Sequence, residues 1–350
     1  MTTLEAIDTV RHIRMRLASR RRLVTAALAA LLVLVFAAAL SLGDFPLVPG
    51  DILRSLLSPL TGQADKGVDF IVLGVRLPRA TLGLLSGAAF ALSGVIFQTI
   101  LRNPLATPDI IGISNGASAA AVAGIVLFGV SGLPVSLWAL GGAVLTTLAI
   151  YLLSWRNGVT AYRIVLIGIG IAAMMSAIIS YLFTRARLAE VQQALAWLVG
   201  SLNAATGSDI VPLALAMALL LPLTAGLVRA LDALQLGDDT AAALGAHVEL
   251  VRLGLILSAV GYAAFATAAV GPVTFVAFVS GPIARALLAG SGKGFVQAAL
   301  VGAIVMIASD LLAQHAFADV QLPVGVVTGL FGAIFLLCLL VVSNRAGRVN

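Results

Sequence analysis

Residues 23–42 read LVTAALAALLVLVFAAALSL, a run without a charge that is apolar around the whole helical circumference. At 1.5 Å rise per residue such a run reaches about 30 Å, the thickness of a bilayer's hydrocarbon core. A strand of a membrane barrel would instead alternate apolar and polar positions over about ten residues. Leu213 to Val228 is a second run of the same kind, and others recur along the chain. The 350 residues are 61% hydrophobic and only 10% charged, too little polar surface to cover a water-soluble globule of this size. The expected fold class is all-α, a polytopic membrane protein.

Ten spans are expected, near 23–42, 78–100, 110–130, 133–154, 163–183, 210–229, 251–270, 273–289, 296–315 and 324–342. An even number returns both termini to one side. Arg102, Arg156, Arg229, Arg252, Arg285, Lys293, Arg345 and Arg348 all fall on the N-terminal side, which marks it as cytoplasmic. The expected organisation is a basic cytoplasmic tail over 1–22, a membrane domain over 23–342 and a cytoplasmic tail over 343–350. Arg20, Arg21 and Arg22 before an apolar stretch ending in Ala37-Ala38-Ala39 imitate a secretory signal. The stretch exceeds the roughly 7 to 15 apolar residues of a signal core, so a first span is expected instead.

The opposite face keeps Asp44, Asp51, Asp65, Asp69, Glu190, Asp209 and Asp319, but also Arg54, Lys66, Arg76, Arg79, Arg185 and Arg187 against the usual bias. Pro49–Leu60 and Val191–Leu202 are apolar yet too short to span. Both are expected as short helices near the outer surface, the second anchored by Trp197. Small residues four apart, Gly83/Gly87 and Gly325/Gly329, predict close helix contacts.

The formal charge of +6 is scattered at the ends of apolar runs, as topology-setting charge is, and nucleic-acid binding is not expected. Cys338 stands alone inside the last run, which excludes an intrachain disulfide and a thiol metal site. His12, His247 and His315 are not spaced with Glu or Cys for a metal. No catalytic set emerges, and the chain is not expected to be an enzyme.

Three segments carry more specific information. In Arg76-Leu77-Pro78-Arg79 the proline suits the first turn of a helix, and arginines three apart share one face. They serve either as headgroup anchors or as a docking site for an acidic partner, since guanidinium forks suit carboxylates. In Leu101-Arg102-Asn103-Pro104-Leu105-Ala106-Thr107-Pro108-Asp109 the two prolines force a turn between spans two and three. Gln98, Ser114 and Asn115 around it lie at membrane depth and require partners or a wet cavity. In the loop between spans six and seven, Leu236-Gly237-Asp238-Asp239-Thr240-Ala241-Ala242-Ala243-Leu244-Gly245 reads as a short helix, capped by Asp238 and ended by Gly245. It is either a plain connector or a knob fitted to another subunit. Gly290-Ser291-Gly292-Lys293-Gly294 imitates a phosphate-binding P-loop, but Leu287 stands where its first glycine belongs and no Ser or Thr follows the lysine.

Taken together, RLPR, NPLA with the following GISNGA, GDDTAAALG and Leu322-Pro323-Val324-Gly325-Val326-Val327-Thr328 resemble the permeases of bacterial binding-protein-dependent importers of iron siderophores, haem and cobalamin. The resemblance covers residues 25–342, and Ser154-Trp155-Arg156-Asn157-Gly158 with Ile167-Gly168-Ile169-Gly170 is most similar to the second permease subunit of ferric-enterobactin-type systems. It implies ten helices per subunit, a second permease in a heterodimer, two cytoplasmic ATPase subunits that use ATP and magnesium, and an extracytoplasmic siderophore-binding protein. The chain itself is implied to hold no cofactor. In that picture Arg76 and Arg79 meet the binding protein, and Asn103 and Leu105, with Gln98 and Asn115, line the cytoplasmic gate and pathway. Gly237, Asp238, Asp239, Thr240, Ala241, Ala242, Leu244 and Gly245 form the coupling helix seated in the ATPase. Two departures stand out: Gln314 where an arginine is common, and Gly281-Pro282 where Pro-His is common. The rival reading is an ion-coupled secondary transporter with Asp310 as its site.

Overall fold

The computed structural model describes residues 3–43, 45–62, 65–155, 161–203, 205–235, 240, 243, 247–316 and 321–346. Their principal elements are α1 (Thr3–Ser41), α2 (Pro49–Thr61), α3 (Lys66–Ile100), α4 (Ile113–Phe128), α5 (Leu133–Ser154), α6 (Ala161–Arg185), α7 (Leu188–Val199), α8 (Gly207–Gln235), α9 (Val248–Val270), α10 (Val276–Leu288), α11 (Phe295–His315) and α12 (Val324–Ala346). The ten expected spans are present as α1, α3 to α6 and α8 to α12. The two segments too short to span are the helices α2 and α7.

Among the described residues seven of these helices are long and apolar enough to cross a membrane, whereas α4 and α10 are shorter; α12 carries the apolar run expected over 324–342. The shortening of α4 and α10 has a local cause. Pro104 and Pro108 hold 101–112 out of helix before α4, and Gly271 and Pro272 do the same over 271–275 before α10. Each segment is covered by protein in part, with Ala106, Thr107, Ile111 and Val273 buried while Arg102, Asn103, Pro104 and Thr274 are exposed. Irregular backbone within a membrane protein is tolerated under that condition, because lipid offers its N–H and C=O groups no partner.

The core is built around α3, which is buried over 83% of its most apolar window against 11% for α1 and 17% for α6. It packs on α8, α9, α10 and α11. Its crossing with α11 is set by Gly87 and Gly302. A Cβ on Gly87 would stand 2.4 Å from the Gly302 carbonyl oxygen, and one on Gly302 would stand 2.3 Å from that of Gly87. Lipid tails are as apolar as leucine, so this backbone contact is held by dispersion rather than by the hydrophobic effect. Gly325 likewise meets the Val199 carbonyl of α7, whereas Gly329 has only Thr274 Oγ1, 3.6 Å away.

One boundary differs from expectation. Helix α3 begins at Lys66, not near 78, and carries a π-helical turn over Phe70–Arg76. Charged Lys66, Asp69 and Arg76 read as loop, but a helix at the bilayer rim accommodates them. A separate small cluster of Leu40, Leu47, Ile52, Val72 and Ala80 ties that turn to α1 and α2 and so positions Arg76.

Candidate functional site: buried polar latches and an open polar stripe

A polar side chain in an apolar bundle needs a partner or water. At the end opposite the N-terminus, the structure turns Arg76 and Arg79 inward rather than presenting both on one exposed face. The Arg76 guanidinium donates to the carbonyls of Leu40 (2.8 Å), Ser41 (3.1 Å) and Phe45 (2.5 Å), which caps the carbonyl end of α1. The Arg79 fork closes on Asp310 of α11, with Nε 2.8 Å from Oδ2 and Nη2 2.9 Å from Oδ1, and Nη2 also donates to Asn203 Oδ1 at 2.5 Å. Both side chains are nearly out of solvent, 12% and 7% exposed, so a two-bond ion pair is their cheapest state. Gln314 donates to Asp310 Oδ2 at 2.8 Å from one turn further along α11. The carboxylate read as an ion-coupling candidate is thus held by an arginine and an amide.

Gln98 is buried at 4% exposure and does not face an open path. Its partner set follows from Pro282, which has no N–H to give the carbonyl four residues earlier, that of Phe278. Gln98 Nε2 supplies the missing donor, 3.1 Å from the Phe278 carbonyl and 3.4 Å from that of Ala277. Its Oε1 accepts from Arg285 Nη2 at 2.8 Å. The Gly281-Pro282 departure and Gln98 therefore form one latch between α3 and α10.

The turn at 101–112 is organised by Asn103. Its backbone N–H donates to the Gln98 carbonyl (3.1 Å), and its Oδ1 accepts from the Leu105 N–H (2.9 Å). Asn103 is exposed and Leu105 half-buried. Ser114 donates to Asp109 within the same turn. Asn115 reaches across to α6, where its Nδ2 donates to Ser176 Oγ at 3.2 Å. From there Ser176, Ser180 and Thr184 lie four apart on one exposed face of α6. The hydroxyls of Ser180 and Thr184 bond back to the carbonyls of Ser176 (3.0 Å) and Tyr181 (2.7 Å). The row extends about 12 Å along the helix. The sequence reading missed it, although the four-residue spacing of hydroxyls inside a span was the available signal.

The segment Gly237 to Gly245 falls outside the described residues, apart from Thr240 and Ala243, which are helical and exposed.

Apolar helices long enough to cross a bilayer, latched to one another by buried polar groups, define a multi-pass membrane protein. The chain belongs to the FecCD transport family, whose sequence profile matches residues 31–342. It is 42% identical over 290 residues to the ferric enterobactin transport system permease protein FepG of Escherichia coli (strain K12), covering 83% of this chain and 88% of that one. It is 37% identical over 320 residues to the achromobactin transport system permease protein CbrC of Dickeya dadantii (strain 3937), covering 90% of each. Identity to the iron(3+)-hydroxamate import system permease protein FhuG of Bacillus subtilis (strain 168) is 33% over 325 residues, 90% of this chain and 95% of that one. A solved structure described as an inward-facing conformation of a metal-chelate type ABC transporter superposes with a TM-score of 0.75 at 27% identity, covering 89% of this chain and 96% of the other.

Proposed function

We propose that this chain is one of two permease subunits of an ATP-driven importer that carries a ferric siderophore of catecholate type across a bacterial inner membrane. The observation that carries the reading is the 42% identity with FepG over 290 residues, set against 33–37% for relatives whose names specify achromobactin, citrate or hydroxamate. The N-terminal end of the bundle faces the cytoplasm, in keeping with its arginines and lysines.

The path runs between this chain and a second, related permease. The stripe of Asn115, Ser176, Ser180 and Thr184 lies along it, and Asn103 and Leu105 narrow its cytoplasmic mouth. A chelate of this size needs polar, weakly binding walls so that it can leave as well as enter. Gly237 to Gly245 seat in one of two cytoplasmic ATPase subunits, where ATP and magnesium act. Closure of the ATPase pair pushes on that seat and shifts the bundle between its outward-open and inward-open arrangements.

The siderophore-binding protein docks at the opposite rim, which contains Arg76 and Arg79. Their guanidinium groups already hold the α1 carbonyls and Asp310, so these two act by shaping the rim. Arg185 and Arg187, exposed at the same end, supply the steering charge.

The test is uptake of radiolabelled iron, supplied as catecholate, hydroxamate and citrate complexes, in cells lacking the chain and in cells with it restored. Loss and recovery confined to the catecholate supports the reading. Unchanged uptake of every iron complex would reassign the permease to cobalamin or haem.

A further inference from the structure

A groove of about 860 Å³ runs between α1, α3, α8 and α11 and is closed at the N-terminal end by Gly292, Lys293 and Gly294 of the loop before α11. Its walls include Leu84 and Leu92 on α3, Leu221 and Ala225 on α8 and Leu300 on α11, all within membrane spans. From Leu84 to Leu92 it follows α3 for about 12 Å, most of the hydrocarbon depth of one leaflet. Its closed end is cationic, with Arg21 of α1 and Lys293 of the loop both lining it.

The fold holds both cations there. Arg20 fixes α1 to the end of α10 by donating twice to the Leu287 carbonyl, at 3.2 and 3.1 Å. Gln297 of α11 donates to Thr25 of α1 at 2.6 Å. The next residue after that first anchor, Arg21, is thereby set on the groove. Lys293 Nζ donates to the Val228 carbonyl of α8 at 3.3 Å, which keeps its ammonium at the same end of the groove. The loop itself bends through Gly290, Gly292 and Gly294 at φ of 85°, 130° and 74°, and Gly294 caps α11. The first turn of α11 therefore adds its N–H groups and the positive end of its dipole to the same rim. The glycine-lysine motif that fails as a nucleotide loop thus sits where an anion at headgroup level would meet it.

We propose that this groove is a binding site for an anionic phospholipid. Its phosphate lies between Arg21 and Lys293, and its acyl chains lie along α3, α8 and α11. An apolar channel open to the bilayer with two cations at one end matches that amphipathic shape, and basic recesses between membrane helices are recognised hosts for such headgroups. The inference is independent of the transported cargo.

The test uses the full-length chain in nanodiscs of phosphatidylcholine with a minor fraction of phosphatidylglycerol, and native mass spectrometry after release into mild detergent. The parent protein should retain phosphatidylglycerol in preference to phosphatidylcholine. The double variant R21Q/K293Q should hold it about thirtyfold more weakly, from the typical contribution of two basic groups near a membrane surface. Ala225→Trp, which fills the exposed groove wall and keeps every charge, should also lose the lipid. The control R14Q/R16Q, which removes the same charge from α1 away from the groove, should retain it. Equal retention by parent, R21Q/K293Q and Ala225→Trp would overturn the proposal, as would equal loss in R14Q/R16Q. Displacement of the lipid by inorganic phosphate alone would reassign the rim to a free anion and overturn it too.

Discussion

Asp310→Asn is the most informative single substitution in the bundle. It preserves shape but removes the charge that the Arg79 fork meets at 2.8 and 2.9 Å, and because Arg79 donates to both oxygens, the new NH₂ group faces an Arg79 N–H in either orientation. Arg79 is 12% exposed and keeps only neutral acceptors, Asn203 Oδ1 and the one amide oxygen left at position 310, so its charge is largely uncompensated. Breaking a buried pair costs about 3–5 kcal/mol, and the position at the rim, where some water reaches, favours the lower end. The expected loss is therefore about 3 kcal/mol in a reversible detergent-unfolding titration of the purified chain. The double variant Arg79→Met/Asp310→Leu, which replaces the pair by apolar groups of similar volume, should return to within about 1 kcal/mol of the parent. If Asp310→Asn unfolds like the parent, or the double variant is no better than the single one, the latch assignment is wrong. Normal stability combined with lost transport would instead restore Asp310 as an ion-coupling site.

Gln98→Leu should cost about 1–3 kcal/mol by orphaning the Phe278 carbonyl and the Arg285 head. Adding Pro282→Ala, which restores the helical N–H, should recover part of that loss in the same titration; no recovery would separate Gln98 from the proline. Gly302→Val should fail to accumulate in membranes, because its Cβ would stand 2.3 Å from a backbone oxygen that cannot move aside, whereas Gly226→Ala, with open space around it, should accumulate normally. Leu244→Asp should leave membrane insertion intact and abolish co-purification of the ATPase; retention of the ATPase would count against the coupling assignment. Ser180→Trp, on the exposed stripe of α6, should leave membrane levels and ATPase co-purification unchanged and abolish siderophore uptake, and normal uptake would remove the stripe from the path.

Which parts of this were legible in the sequence follows from the range of the forces. Span number and the two short helices α2 and α7 were readable because each rests on a local apolar run. The start of α3 was not, because Lys66, Asp69 and Arg76 carry a loop's composition, although Asp65 caps the helix there by accepting from the Gly67 and Val68 N–H groups and Val68 and Val72 pack toward α1 and α2. Gln98 stood out as a polar group that needed a partner or a wet cavity, Arg79 as an anchoring or docking charge and Asp310 as an ion-coupling candidate. Their pairing did not, since Arg79 lies 231 residues from Asp310, and Gln98 lies 180 from the carbonyl that Pro282 frees. A missing N–H four residues downstream of Phe278 was a readable cue to an unsatisfied acceptor, but not to which span would meet it. The hydroxyl row of Ser176, Ser180 and Thr184 was fully local and simply looked like ordinary small residues in a glycine-rich bundle.

The central claim is that ATP hydrolysed by separate subunits drives a ferric siderophore through this chain and its partner permease. It is tested most directly in proteoliposomes that contain both permeases and the ATPase, loaded with ATP and magnesium on the ATPase face and supplied with binding protein and a radiolabelled ferric catecholate. The account predicts accumulation that requires hydrolysable ATP and binding protein and survives ionophores that collapse every ion gradient. Accumulation that persists without ATP and vanishes with the ionophore would contradict it.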